Sequence, residues 1–168
     1  MADSSSPAEA ERQIVGLIYR YNAVLDATDY DAWAQCFAAD GIFRGAHADW
    51  LVHRDKEAFV AAAVNRRRSA APNSRHFVTN ILVEVDADTG TARSHCHLFV
   101  TTTAEGGKPT MSLTGEYEDF LVRENGKWLF GERRVHVDGR HRTWPPLGEV
   151  PEAGAQPYNH PSSEPSLS

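Results

Sequence analysis

Residues 74–86 read SRHFVTNILVEVD, and this stretch decides the fold. From His76 to Val85 it is mostly β-branched, aromatic or aliphatic, and it runs into Asp86-Ala87-Asp88-Thr89-Gly90, whose Asp and Gly favour a turn. It predicts a long strand entering a hairpin. Near its start stands His76, its one side chain with an ordinary pKa near neutrality. Function turns on whether that imidazole faces a cavity.

Downstream the period of two continues. Strands are predicted at 76–86, 91–103, 109–123 and 127–137, joined by DADTG, AEGGK and ENG. Connections this short make the neighbours antiparallel. Upstream the period is 3.6. Ile14, Leu17, Ile18, Tyr21 and Leu25 form the apolar stripe of a helix about five turns long. Tyr19, Asn22 and Asp26 share a neighbouring side of it. A carboxylate near a helix C-terminus opposes the macrodipole, so helix stability alone does not account for Asp26.

Thr28 and Asp29 break the chain and re-cap it for a shorter helix, YDAWAQCFA, with Trp33, Cys36 and Phe37 inward. Ala39-Asp40-Gly41 closes it, Ile42 to Ala46 is a short strand, and 47–53 is a loop. A third helix runs from Asp55 to Arg68, and 69–74 is a linker. Helices followed by a sheet define an α+β class: helices packed on one face of a curved sheet, with a conical cavity between them. Residues 1–8 read as a flexible polar leader, 9–138 as one domain, and 139–168 as a Pro-rich irregular tail whose Trp144 and Leu147 are placed to cross the cavity mouth.

The totals narrow the function classes. A net charge of −6 argues against nucleic acid as a partner. Arg66-Arg67-Arg68, the one cationic run, reads as a solvated helix end. Cys36 and Cys96 are too few, and too apolar in context, for a disulfide framework or a four-ligand zinc site, and read as buried thiols of a cytoplasmic protein. No apolar run approaches the ~18 residues of a membrane span. His95-x-His97 is half a metal site without an evident third ligand, so neither metal nor cofactor is expected. Arg133 and Arg134 are expected to pair with Glu116, Glu118 or Glu132, the alternative being contact with an anionic substrate. Phe120, Leu121 and Val122 suggest a homodimer, or a higher homo-oligomer, through the outer sheet face.

Three motifs occur in order: YxxxLDxxDYDAWxxCFAxDG from Tyr21, RHFVTNI from Arg75, and GxYxDxLVRxNGxWLFxxRxV from Gly115. Together they resemble the scytalone dehydratase and SnoaL-like polyketide cyclase branch of the nuclear transport factor 2 superfamily, over about residues 9–138. The resemblance implies a cone-shaped α+β barrel, a curved mixed or antiparallel sheet wrapped around N-terminal helices. It places the dehydratase aspartate on Asp26 and its histidine on His76, a hydrogen-bonded dyad in which the imidazole carries the proton. Leu25 and Gly45 stand where the dehydratase has tyrosines. Its second histidine falls near Thr101, with His95 and His97 on the same side of the strand, and its asparagine falls near Tyr117.

Tyr117 and His97 are thus candidate donors to an oxyanion, and Tyr19, Asn22 and Thr101 are candidate substrate contacts. The implied activity is cofactor-independent dehydration, isomerisation or cyclisation of a hydrophobic oxygenated metabolite. A non-catalytic ligand-binding or oligomer-forming module on the same fold is the alternative.

Overall fold

The computed structural model describes residues 6–69, 73–140 and 142–148. Helix α1 (Pro7–Asp26) starts where Ser6 accepts a hydrogen bond from the Glu9 amide at 3.3 Å and Pro7 occupies the first turn. α2 (Tyr30–Ala34) is capped by Asp29, which accepts from the Ala32 amide. It is one turn shorter than the sequence suggests, because Phe37 already belongs to a strand. That strand, β1 (Phe37–Arg44), absorbs the predicted Ala39-Gly41 turn as an irregularity. A Cβ on Gly41 would lie 2.8 Å from Phe37 Cβ and 2.9 Å from the Phe130 carbonyl oxygen, so only glycine fits this approach. β2 (Asp49–Leu51) occupies the predicted 47–53 loop and leads into α3 (Val52–Ser69).

β3 (Asn73–Asp86), β4 (Thr91–Thr103), β5 (Thr110–Glu124) and β6 (Lys127–Val137) form the predicted meander. The six strands lie in the order β2-β1-β6-β5-β4-β3, all pairs antiparallel except β1 with β6. The sheet is mixed and open, with β2 and β3 at its edges. α1 packs against β3 and β6, and α3 against β1 and β2. Both helices therefore lie on one face of the sheet, which gives the α+β cone. No described helix is long and apolar enough to cross a membrane.

The core is aromatic. Tyr21 on α1 meets Phe37, Tyr117 and Phe130 edge-on at centroid distances of 6.0, 6.0 and 5.6 Å, and Trp33 stacks on Phe59 at 4.1 Å. Within it Arg133 is fully buried, gripped by Asp119 through two 2.7 Å bonds and held 4.0–4.2 Å from the ring centroids of Tyr21, Tyr117 and Phe130. Ser94 Oγ donates to the same carboxylate at 2.8 Å. The expected partners of Arg133 were glutamates on the outer face. A β-bulge at Gly131, between the pairs Phe120–Glu132 and Leu121–Phe130, shifts the alternation of β6, turning Arg133 inward and Glu132 and Arg134 outward.

Arg134 does meet Glu132, at 2.7 Å, in a buried network with Arg44 and Asp49. The start of the C-terminal segment closes that network: Arg134 donates to the Pro145 carbonyl, Gly148 N–H to Glu132, and Arg142 to Asp49 and the Gly45 carbonyl. Trp144 packs edge-on against His136 on the outer face, so it does not cross the cavity mouth. Gly148 lies against Phe120, and Leu121 points into the core. Leu121 is thus not on the outer face, whereas Phe120 and Val122 are partly exposed there. The leader and tail assignments at 1–5 and 149–168, and Pro72 of the linker, lie outside the described residues.

Candidate active site

Asp26 is the last residue of α1 and His76 the fourth of β3, and the packing of that helix end on that edge strand brings them together. His76 Nδ1 lies 2.7 Å from Asp26 Oδ1, and the His76 main-chain N–H donates to Oδ2 at 3.1 Å. Both carboxylate oxygens are used by one residue, which fixes the plane of the ring as well as its position. Because the carboxylate can only accept, Nδ1 carries the proton and Nε2 is the nitrogen left to act as a base. The pair is neither sealed nor freely solvated, at 18% exposure for the imidazole and 14% for the carboxylate.

His76 lines a cavity of about 1090 Å³ enclosed by α1, α3 and the concave face of the sheet. Tyr30, Phe43, Trp50, Phe59, Leu98 and Val100 supply apolar wall, and Leu25 and Gly45, at the positions of the dehydratase tyrosines, line it too. Tyr117 reaches the same cavity from β5 and its hydroxyl donates to Asn22 Oδ1, one turn before Asp26, across a long 3.4 Å. Burial, aided by the neighbouring Tyr21, pushes the Tyr117 hydroxyl well above its usual pKa, so it is a proton donor and not an anion. Asn22 is buried as well, and its Nδ2 finds no partner among the described residues.

Three predicted contacts lie elsewhere. Tyr19 is 55% exposed, because about 100° of helical rotation per residue turns it out of the stripe through Ile14, Ile18 and Tyr21. His97 and Thr101 share a side of β4 with His95 and Phe99, as alternation requires, but that side is the outer one. The inner side is Ser94, Cys96, Leu98 and Val100, whose burial outweighs any placement of the histidines. His97 is half exposed, with Asn80 at 3.4 Å and Glu116 at 3.9 Å. Among the described residues no three His, Cys, Asp or Glu side chains are arranged to hold a metal ion.

Residues that sequence reading passes over complete the cavity. Arg67 does not end in solvent: it donates to the main-chain carbonyls of Leu25 and Asp26 at 3.0 and 3.4 Å, covering the C-terminus of α1 beside the dyad. Arg66, Arg140 and His47 also line the cavity, and Arg140 donates to His47 Nε2 at 2.9 Å. Partial burial lowers the His47 pKa, and Arg140, Arg66 and Arg142 lower it further. The run Arg66-Arg67-Arg68 was the one available signal, and it reads in the sequence as a solvated helix end, which for Arg67 the structure corrects.

The chain thus combines a cone-shaped α+β fold with an imidazole–carboxylate pair whose imidazole lines the central cavity. The chain belongs to the SnoaL-like domain family, whose family model matches residues 6–134. Among solved structures it is similar to Aln2 from a Streptomyces species, at 27% identity over 80% of this chain and 94% of that one, with a TM-score of 0.69. Rv3472 from Mycobacterium tuberculosis, described as a protein of unknown function, gives 27% identity over 79% and 76% of the two chains and a TM-score of 0.64. ActVI-ORFA from Streptomyces coelicolor shares the fold, with a TM-score of 0.66 at 21% identity over 81% and 100%. No curated protein matches the chain.

Proposed function

We propose that this protein is a cofactor-independent enzyme that moves a proton on a hydrophobic, oxygenated small molecule, in a dehydration, isomerisation or cyclisation. The observation that carries the reading is the 2.7 Å contact between His76 Nδ1 and Asp26 on the wall of the large cavity. In this mechanism Nε2 removes a proton from carbon or oxygen and returns it elsewhere. Asp26 holds the tautomer and stabilises the imidazolium formed in between. Tyr117 is the donor on the same cavity for oxygen that gains negative charge. Membership of the SnoaL-like family agrees with such chemistry, and the missing tyrosines at Leu25 and Gly45 argue for a substrate other than scytalone.

The test begins with thermal stabilisation by a panel of hydroxylated naphthalenes, anthraquinones and steroid ketones, since a ligand at ~100 times its Kd adds about 2.7 kcal/mol. A bound ketone is then incubated in D2O and its exchange at the carbon next to the carbonyl followed by NMR. The wild type is expected to exchange that proton, and His76→Ala to lose exchange by at least ~100-fold while binding within about tenfold. Ligand binding with no enzyme-dependent exchange in the wild type would leave a binding module and end the catalytic reading.

A further inference from the structure

Asn22 on α1 is 5% exposed, and its side-chain amide is only half used. Oδ1 accepts from the Tyr117 hydroxyl across 3.4 Å, while Nδ2 has no hydrogen-bond partner among the described residues. A buried donor without a partner opposes folding, so helix packing alone does not account for an amide here. Asn22 stands four residues before Asp26, one turn away on the same side of α1. The helix thus presents an amide to Tyr117 on β5 and a carboxylate to His76 on β3, and both of these partners line the cavity.

We infer that Asn22 is a positioning residue for Tyr117, whose amide turns over to release the phenol proton toward an oxygen in the cavity. This rests on the proton-transfer reading and deepens it, because it assigns the group that switches the donor. In the arrangement seen, the hydroxyl directs its one proton at Oδ1, so none is left for a substrate. Turning the amide over exchanges Oδ1 and Nδ2 with little change of shape. Nδ2 then donates to the phenol oxygen, which makes the phenol a stronger donor and frees its proton to meet an oxygen that gains negative charge. The orphaned donor gains a partner. Oδ1 takes the place that Nδ2 leaves, and an under-used carbonyl oxygen is tolerated more often than an orphaned N–H. No covalent bond changes in this step: two hydrogen bonds replace one.

The experiment follows deuterium exchange of 2-tetralone, a hydrophobic ketone with acidic hydrogens beside its carbonyl, in D2O by NMR with the full chain. Tyr117→Phe removes the donor and is expected to slow enzyme-dependent exchange by about 100-fold. Asn22→Leu leaves the phenol proton free but takes away the amide, and should slow exchange about tenfold with Kd for 2-tetralone within about threefold. Asn22→Asp has the size and shape of asparagine, and above the pKa of the introduced carboxyl it can only accept. It should slow exchange as much as Tyr117→Phe does, although it retains the bond seen in the structure. An asparagine with a purely structural role predicts the reverse order, with Asn22→Asp faster than Asn22→Leu, and that order overturns the inference. So does a further tenfold loss, roughly, when Asn22→Leu is added to Tyr117→Phe, since a residue acting through the phenol has no effect without it. Near-ultraviolet circular dichroism checks that each variant is folded, and where Asn22→Leu is not, Asn22→Asp against Tyr117→Phe decides alone. Wild-type exchange that is unaltered in Asn22→Asp removes this inference and leaves the proton-transfer reading standing. Absence of enzyme-dependent exchange in the wild type removes both.

Discussion

Two carboxylates receive cationic or basic partners in the same helix-and-sheet interior, and the pairs differ in what surrounds them. Asp119 and Arg133 are wholly enclosed, with three aromatic rings over the guanidinium and Ser94 on the carboxylate. Burial works against the arginine's charge, and the combined pull of Asp119, Tyr21 and Tyr117 outweighs it, so its pKa is raised. Asp26 and His76 are as tightly bonded, but His76 lines a cavity. A guanidinium does not give up its proton in any ordinary range of pH, whereas an imidazole does. Access and an exchangeable proton therefore separate the pair suited to chemistry from the pair suited to holding strands together.

The sharpest way to break this contrast is to remove one partner of the enclosed pair. Asp119→Ala is expected to lower unfolding free energy in urea by about 3–5 kcal/mol, because it leaves a buried cation uncompensated. Asp119→Leu combined with Arg133→Met should recover most of the loss, and failure to recover would mean that the pair contributes more than its mutual neutralisation. Asp26→Asn keeps one acceptor and should cost only about 1 kcal/mol in the same measurement. Its larger expected effect is on turnover and on the acidic limb of the pH profile, where His76 is lost as a base by protonation. If its stability loss equals that of Asp119→Ala, the dyad is scaffolding and the contrast disappears.

Tyr117→Phe removes a long 3.4 Å bond and should cost less than about 1 kcal/mol, while lowering the rate if its hydroxyl serves an oxyanion. The smallest effect concerns His47. Its folded pKa lies below the ordinary 6.5, so near and below that pH the unfolded chain binds the extra proton. The wild type should therefore lose melting temperature relative to His47→Gln as pH falls through 6.5 toward the lower folded value, and match it above.

The long elements were legible because their patterns are redundant. Ile14, Ile18 and Tyr21 repeat the helical stripe of α1, and β3 to β6 alternate between punctuating turns. Asp26 stood out locally as a carboxylate against the helix dipole and His76 as the one near-neutral side chain of its strand, but only the order of three motifs joined them into a pair. Face assignment on β4 was not legible, because Cys96, Leu98 and Val100 on one side and His97, Phe99 and Thr101 on the other both contain plausible pocket linings. Two bulges hid further facts. Asn80, at φ +55°, moves the inner side of β3 from Val78 to Ile81, and Gly131 sends Arg133 to Asp119. The parallel joining of β1 to β6 depends on a contact across the whole domain, which no short window contains.

Arg66 and Arg140 come from the final turn of α3 and the residues just past β6, while the dyad belongs to α1 and β3. The basic side of the cavity and the imidazole–carboxylate pair are thereby supplied by separate stretches of chain. A substitution at Arg66 or Arg140 touches neither hydrogen bond between Asp26 and His76, so one side of the cavity can change its chemistry while the other keeps its geometry.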